Sequence, residues 1–151
     1  MNVLLYFLAL IAGMGVSLQA GINGNLKDAV GSPVLASLIS FIVGSAALFA
    51  TYIIAVSSAA QAVPSLSDLK HTSWWMWTGG LLGAFYVLML IVIVPRIGFA
   101  NMFSLTIGGQ IVLTVILDHL GAFGNQVHPI SPLRVAGLVL LIAGVYIIQT
   151  N

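Results

Sequence analysis

The sequence predicts an all-α membrane protein with five transmembrane helices. Of its 151 residues, 60% are hydrophobic and only 5% are charged, and the mean hydropathy is +1.16. A soluble domain has about 25% charged residues. Five apolar segments approach or exceed the length of about 20 residues that lets a helix cross the hydrocarbon core with all backbone groups hydrogen-bonded. We interpret residues 1–151 as a single five-helix transmembrane domain.

The predicted spans cover residues 3–22, 34–56, 74–94, 100–117 and 133–148. The first lacks the positive n-region of a signal peptide, so we expect it to be retained. The fifth is the shortest, but Ser131 can cap its first turn and Pro132 suits the first helical position. Turn residues fill the predicted connections, which read NGNLKDAVGSP, SSAAQAVPSLSDLKHTS, PRIG and GAFGNQVHPISP in chain order.

Composition excludes several classes of function. Four Lys or Arg residues against three acidic residues leave no basic surface for binding nucleic acid. The chain has no cysteine, which excludes disulfides and thiolate metal sites. Neither a second acid near Asp118 nor a histidine cluster is present to support catalysis or metal binding. We therefore predict that the protein is not an enzyme and needs no cofactor or metal.

The basic residues give no clear instruction for orientation in the membrane. Five spans place two of them on each side: Lys70 and Arg134 on the side of the N-terminus, and Lys27 and Arg96 on the other. Since an excess of Lys and Arg in short loops sets orientation, this tie has two interpretations. Either a weaker signal such as His71 and His128 fixes one orientation, or both orientations are made and pair antiparallel.

Polar residues recur every four positions along the fourth span, at Thr106, Gln110, Thr114 and Asp118. Four positions advance about 40° beyond a full helical turn, so these residues form one slowly winding stripe. Gln110 lies near the middle of the span. Its amide suits either a small polar substrate or a hydrogen bond to a neighbouring helix.

The first span carries a similar stripe at Gly15, Gln19 and Asn23. An unpartnered amide inside the membrane is costly, so we expect Gln19 to face a cavity. Asn25, beside Gly24, is expected to lie in a turn that ends the helix. For Asn23 the two interpretations remain open.

Asp118 is the carboxylate that comes closest to lying inside a span. One interpretation is a site for a proton or a cation. The interpretation that we favour is an interfacial residue paired with Arg134, which begins the fifth span on the same side. His119 is then interfacial too.

Aromatic and small residues mark the third and fifth spans. Trp74, Trp75 and Trp77 predict an interfacial aromatic belt, with stacking on a flat substrate as the alternative. Tyr86, near the middle of the third span, is its best cavity candidate. Two pairs of glycines, Gly79 with Gly83 and Gly137 with Gly144, predict faces where helices approach closely.

Four stretches together resemble a known family: LQAGINGNL, GSPVLASLISFIVGS, WWMWTGGLLGAFYV and PRIGFANMFSLTIGGQIVLTVILDHLGAFG. They are similar to the YdcZ-type family of bacterial inner-membrane proteins in the drug/metabolite transporter superfamily, whose members are described as exporters. The resemblance covers essentially the whole chain. It implies a five-helix unit equivalent to half of a ten-helix, inverted-repeat transporter bundle, so that two units build one path.

The resemblance and the charge tie together predict an antiparallel homodimer in the bacterial inner membrane, which exports a small polar or amphipathic metabolite by alternating access. Its expected substrate-binding residues are Gln19, Asn23, Tyr86, Gln110 and Thr114. Small multidrug-resistance relatives use a glutamate in the first helix to exchange protons for drug cations. The predicted first helix here has no acid, so the resemblance does not imply this exchange for the present chain. A small dual-topology channel and a non-transporting membrane subunit are the alternatives.

Overall fold

A computed structural model describes residues 3–65, 67, 70, 72–124 and 126–150 of the chain. Over these residues it contains five helices that are long and apolar enough to cross a membrane, and no β-strand. The helices are α1 (Val3–Val30), α2 (Pro33–Ser57), α3 (Gly79–Ile97), α4 (Phe99–Leu120) and α5 (Pro132–Thr150). The predicted all-α membrane fold is thus confirmed. His71, one of the two histidines considered for orientation, lies outside the described residues.

Two short 3-10 helices complete the secondary structure of the described residues, Trp74–Thr78 and Ala122–Gly124. The first leads directly into α3, so the tryptophans precede the α-helix instead of forming its first turn. Trp74 and Trp77 are exposed, and the Trp77 indole N–H donates to Thr72 Oγ1 at 3.2 Å. An indole with one polar end and one apolar body suits the membrane interface.

The chain divides into two compact units, Met1–Val92 and Ile93–Asn151. The first contains α1, α2 and most of α3. The second contains the last residues of α3 together with α4 and α5. The single-domain organisation stays a prediction.

In the first unit, α1 and α2 pack against each other across a two-residue connection. Gly31 adopts a left-handed backbone with φ of 72°, which glycine tolerates without strain, and its N–H donates to Lys27 O at 2.8 Å. Ser32 then caps α2, because its Oγ accepts from the Leu35 N–H at 3.2 Å and Pro33 occupies the first helical position. This tight turn brings the end of α1 beside the start of α2.

The first helix is eight residues longer than predicted, since α1 ends at Val30 instead of residue 22. Asn25 therefore lies inside the helix, and the prediction that it forms a turn was wrong. The longer helix also includes Asp28, whose exposed side chain pairs with Lys27 at 3.0 Å. The predicted absence of an acid thus holds only for the apolar part of the helix.

The core of the first unit joins all three helices. It consists of the buried Ala36, Val87 and Ile91, with Leu26, Val30, Phe41 and Tyr86 packed against them. A Cβ added at Gly83 would lie 3.6 Å from Phe41 Cζ, so this glycine permits close approach of α3 to α2. A Cβ at Gly79 would meet no atom within 4 Å among the described residues, so only one glycine of the predicted pair makes such a contact.

In the second unit, Gly98 separates α3 from α4. Its φ is 83°, and the side chain of Asn101 donates to the terminal carbonyl of Ile97 at 2.9 Å. Pro95, Arg96 and Ile97 are helical, so the connection predicted over PRIG is present but consists of Gly98 alone. The physical reason is that α3 ends only where Gly98, with φ of 83° and ψ of 163°, adopts a backbone that residues other than glycine rarely take.

The helices α4 and α5 of the second unit pack against each other. A Cβ added at Gly108 would lie 3.6 Å from Val145 Cγ2. Ser131 Oγ accepts from the Arg134 N–H at 3.3 Å, so the predicted cap of α5 is confirmed. A Cβ at Gly137 or Gly144 meets no described atom within 4 Å.

Candidate functional site

The first unit contains an open groove of about 300 Å³ between α1 and α2. It is lined by Gly15, Leu18, Gln19, Ile22, Asn23 and Leu26 of α1 and by Ile39, Ser40 and Val43 of α2. This volume is at the low end of the range of about 300 to 1,000 Å³ for ligand pockets. The size therefore suits a small molecule.

Asn23 is the most unusual residue of this groove. The residue is only 4% exposed, yet its side chain makes no hydrogen bond with any described residue. A buried amide normally has a partner, because leaving it unpaired costs about 1 to 3 kcal/mol. Asn23 therefore lines the groove with a side chain whose hydrogen-bonding capacity is unused among the described residues.

Two further polar side chains share the groove with Asn23. Gln19 lies one turn earlier on α1 and is exposed, and Ser40 faces it from α2 and is half-buried. The remaining walls are aliphatic, and no charged residue belongs to the described lining. The nearest charges along α1 belong to the Lys27 and Asp28 ion pair, beyond the end of the lining. The groove thus combines neutral hydrogen-bonding groups with apolar walls.

The structure brings together Gln19 and Asn23, two of the residues that the sequence indicated. Asn23 is helical, which resolves the question of whether it belongs to a turn. Tyr86 lies elsewhere in the same unit, packed against the apolar cluster of Ala36, Val87 and Ile91. Its role in substrate binding stays a prediction.

Gln110 and Thr114 lie midway along α4 in the second unit, and both are exposed. The Thr114 hydroxyl donates to the backbone carbonyl of Gln110 at 2.7 Å, whereas the Gln110 amide makes no hydrogen bond with a described residue. Neither residue lines the groove of about 390 Å³ between α4 and α5. That groove is lined by apolar residues: Leu105, Gly108, Gly109, Val112, Leu113, Ile116, Ile142 and Val145.

Asp118 lies in the last turn of α4, and its Oδ2 is 3.5 Å from Arg134 Nη1. The same Nη1 donates to the carbonyl of His128 at 3.2 Å, and the His128 N–H donates to the Asp118 carbonyl at 2.9 Å. His119 Nδ1 accepts from the Ile130 N–H at 3.3 Å. The predicted pair of Asp118 and Arg134 is therefore present, and it holds the connection between α4 and α5. A proton or cation site at Asp118 stays a prediction.

Sequence reasoning missed Ser40, because a single hydroxyl in an apolar run is common in transmembrane helices. One signal could have indicated it: Ala36, Ser40 and Gly44 recur every four positions and give α2 a face of small residues. Sequence reasoning also missed Asn101, whose Oδ1 is buried without a partner. Its position three residues after Gly98 is typical of a side chain that serves a helix end.

Comparison with known proteins identifies the family. No curated protein and no solved structure matches the chain. A family model described as "Putative inner membrane exporter, YdcZ" matches residues 4–147, which is nearly the whole chain. Together with five helices able to span a membrane, this match makes the chain a multi-pass protein of the inner membrane. The chain belongs to the YdcZ family of inner membrane exporters.

Proposed function

We propose that the protein is a secondary transporter that exports a small polar or amphipathic metabolite, and that the groove between α1 and α2 is its substrate site. The observation that carries this proposal is the buried residue Asn23, which lines the groove and whose amide makes no hydrogen bond with a described residue. A substrate that pairs with the amide offsets the penalty of burying it unpaired. Membership in an exporter family supports the same conclusion.

We further propose that two copies assemble antiparallel and work by alternating access. Two such copies form inverted repeats, which can expose a site to each side of the membrane in turn. Two observations support this arrangement: the tie of two basic residues on each side, and the Gln110 amide. Because Gln110 lies midway along α4 and its amide makes no hydrogen bond with a described residue, a second copy or a substrate can supply a partner within the bilayer.

The two units contribute different residues to this proposal. Gln19 and Asn23 bind substrate in the groove, and Tyr86, Gln110 and Thr114 complete the path in the assembled dimer. If transport is coupled to a proton or a cation, Asp118 is the candidate carboxylate, and the ion then competes with Arg134 at 3.5 Å. The substrate contact at Asn23 does not depend on this coupling.

The topology test uses two single-cysteine variants, Gln61→Cys and Thr150→Cys, in a chain that has no other cysteine. The predicted topology places these residues on opposite sides of the membrane, and Gln61 is exposed. We expect a membrane-impermeant thiol reagent to label about half of each variant in intact cells. Complete labelling of one variant and none of the other would show a single orientation and would refute the antiparallel homodimer.

The transport test measures solute flux into proteoliposomes. A carrier gives flux that saturates with substrate, whereas a channel gives unsaturated conductance far above carrier turnover. We expect saturable flux that falls at least about tenfold in Asn23→Ala, equivalent to about 1.4 kcal/mol. Asn25→Ala is the matched control, because Asn25 lies two residues further along α1, is exposed and does not line the groove.

A further inference from the structure

The charges around the groove limit what it can bind. Its described lining contains no acidic and no basic residue. The one carboxylate of α1, Asp28, is exposed and already paired with Lys27 at 3.0 Å. An organic cation in the groove would therefore lose part of its hydration without gaining a counter-ion, and so would an anion, and either loss is unfavourable.

The hydrogen-bonding groups limit the ligand further. The Asn23 amide offers an acceptor oxygen and N–H donors side by side, and neither is used within the described chain. A partner that satisfies both needs a donor and an acceptor in the same arrangement. A carboxylate has only acceptors and an ammonium group has only donors, so each leaves half of the Asn23 amide unpaired.

We propose that the groove selects uncharged solutes that carry a carboxamide, or a group of the same donor and acceptor pattern, on a short apolar body. The carboxamide pairs with Asn23, while Gln19 and Ser40 offer further neutral hydrogen bonds. Ile22, Ile39 and the other aliphatic residues of the walls contact the apolar body. This inference rests on the proposed function and names the substrate class of the same groove.

The test measures protection of a groove cysteine by three matched solutes. Val43 is exposed and lines the groove, so Val43→Cys places a thiol there without removing a polar contact. Its rate of labelling by N-ethylmaleimide in proteoliposomes is measured with isobutyramide, isobutyrate or isobutylammonium. These solutes share one branched carbon frame and differ in the charge and hydrogen bonding of the head group.

We expect isobutyramide to slow labelling by the factor for simple competition, about twofold at a concentration equal to Kd and about elevenfold at ten times Kd. A six-atom ligand binds weakly, so concentrations of about 1 to 100 mM cover the useful range. Isobutyrate and isobutylammonium should leave the rate unchanged. Gln61→Cys, exposed beyond the end of α2 and outside the groove, should be protected by none of the three.

Variants of Asn23 and Asn25 then test the residue itself. In the Val43→Cys background, Asn23→Leu should abolish protection by isobutyramide, whereas Asn25→Leu should keep it. An unchanged labelling rate without solute shows that the groove remains folded in each variant. If the labelling rate without solute does change in Asn23→Leu, the comparison of the three solutes in the Val43→Cys protein that retains Asn23 still tests the inference.

Several results overturn the inference. One such result is equal protection by all three solutes, and another is protection by isobutylammonium or isobutyrate instead of isobutyramide. Either would show that the groove does not select the charge and the donor and acceptor pattern of the head group as proposed. Protection that survives Asn23→Leu shows that the amide is not the contact. No protection by isobutyramide at about 100 mM also refutes it. If saturable flux is nevertheless present in the transport assay, the proposed function stands and only the substrate class is wrong; if flux is absent too, both fail.

Discussion

Replacing Asn23 by leucine separates a binding role for this amide from a structural role. Leucine has nearly the same length and branching as asparagine, so the change removes hydrogen-bonding groups and leaves the shape of the side chain similar. A structural amide would lose a partner and the protein would become less stable. An amide held ready for a substrate has no partner to lose, so the protein without substrate should become more stable.

The expected magnitude follows from the environment of Asn23. Asn23 is 4% exposed and unpaired among the described residues, but its amide atoms keep some accessible surface, so the cost of about 1 to 3 kcal/mol for a fully buried unpaired polar group is an upper limit. Removing that penalty should raise the free energy of unfolding by at most about 1 to 3 kcal/mol, which changes the folding equilibrium by at most about 5- to 150-fold. The added apolar surface contributes little, because the unfolded chain in a micelle is itself in an apolar environment.

The assay is reversible unfolding of the purified protein by SDS in mixed micelles, followed by circular dichroism and tryptophan fluorescence. Asn25→Leu is the control, since Asn25 is exposed and a substitution there should change stability by no more than about 0.5 kcal/mol. The same Asn23→Leu protein should lose saturable flux. Higher stability together with lost transport is the combination that a substrate-binding amide predicts.

A loss of about 1 kcal/mol or more in Asn23→Leu would refute this reasoning, because it would mean that the amide has a partner in the folded protein. An equal gain in Asn25→Leu would attribute the effect to general apolarity of α1. Retained transport in a stabilised Asn23→Leu protein would show that the amide is not a substrate contact.

Three further predictions concern the packing and the helix ends. Gly83→Leu should lower the free energy of unfolding by about 1 to 3 kcal/mol in the same SDS titration. A Cβ added at this position would already lie 3.6 Å from Phe41 Cζ, so a larger side chain overpacks the contact, whereas Gly83→Ala should be tolerated. Ser131→Ala should destabilise by about 0.5 to 2 kcal/mol through loss of the 3.3 Å cap bond, and Ser131→Thr should restore most of that stability. A double-mutant cycle of Asp118→Asn and Arg134→Gln should give a coupling free energy of about 0.2 to 1 kcal/mol that falls as the salt concentration rises. A larger coupling free energy that does not depend on salt would contradict an ion pair whose two side chains are about a third exposed.

The end of α1 shows where local sequence signals failed. Gly24 and Asn25 are poor helix formers, with glycine about 1 kcal/mol less favourable than alanine, and they led to a predicted turn. Packing outweighs this preference, because Leu26 and Val30 contact the apolar core of the first unit and so hold two more helical turns. Gly31, with its positive φ, is the residue that ends the helix.

Signals that act within a few residues were more reliable. Ser131 and Pro132 correctly predicted the start of α5, because a cap depends only on neighbouring backbone groups. The four-residue spacing of Gln19 and Asn23 correctly placed both on one side of α1, where they line a groove. Spacing along one helix does not reveal which other helix faces it, and this is why Ser40 of α2 was missed.

The polar stripes of α1 and α4 have the same spacing but different surroundings. On α1, Asn23 is buried beside α2, so a small solute can reach the amide in a groove within one chain. On α4, the groove shared with α5 is apolar, and the Gln110 amide lies outside its lining. In the proposed function, Asn23 contacts the substrate within one chain, whereas the Gln110 amide finds its partner in a second copy or in a substrate. The proposed antiparallel dimer would provide such a partner without any additional component, and it would also account for the predicted tie of the loop charges.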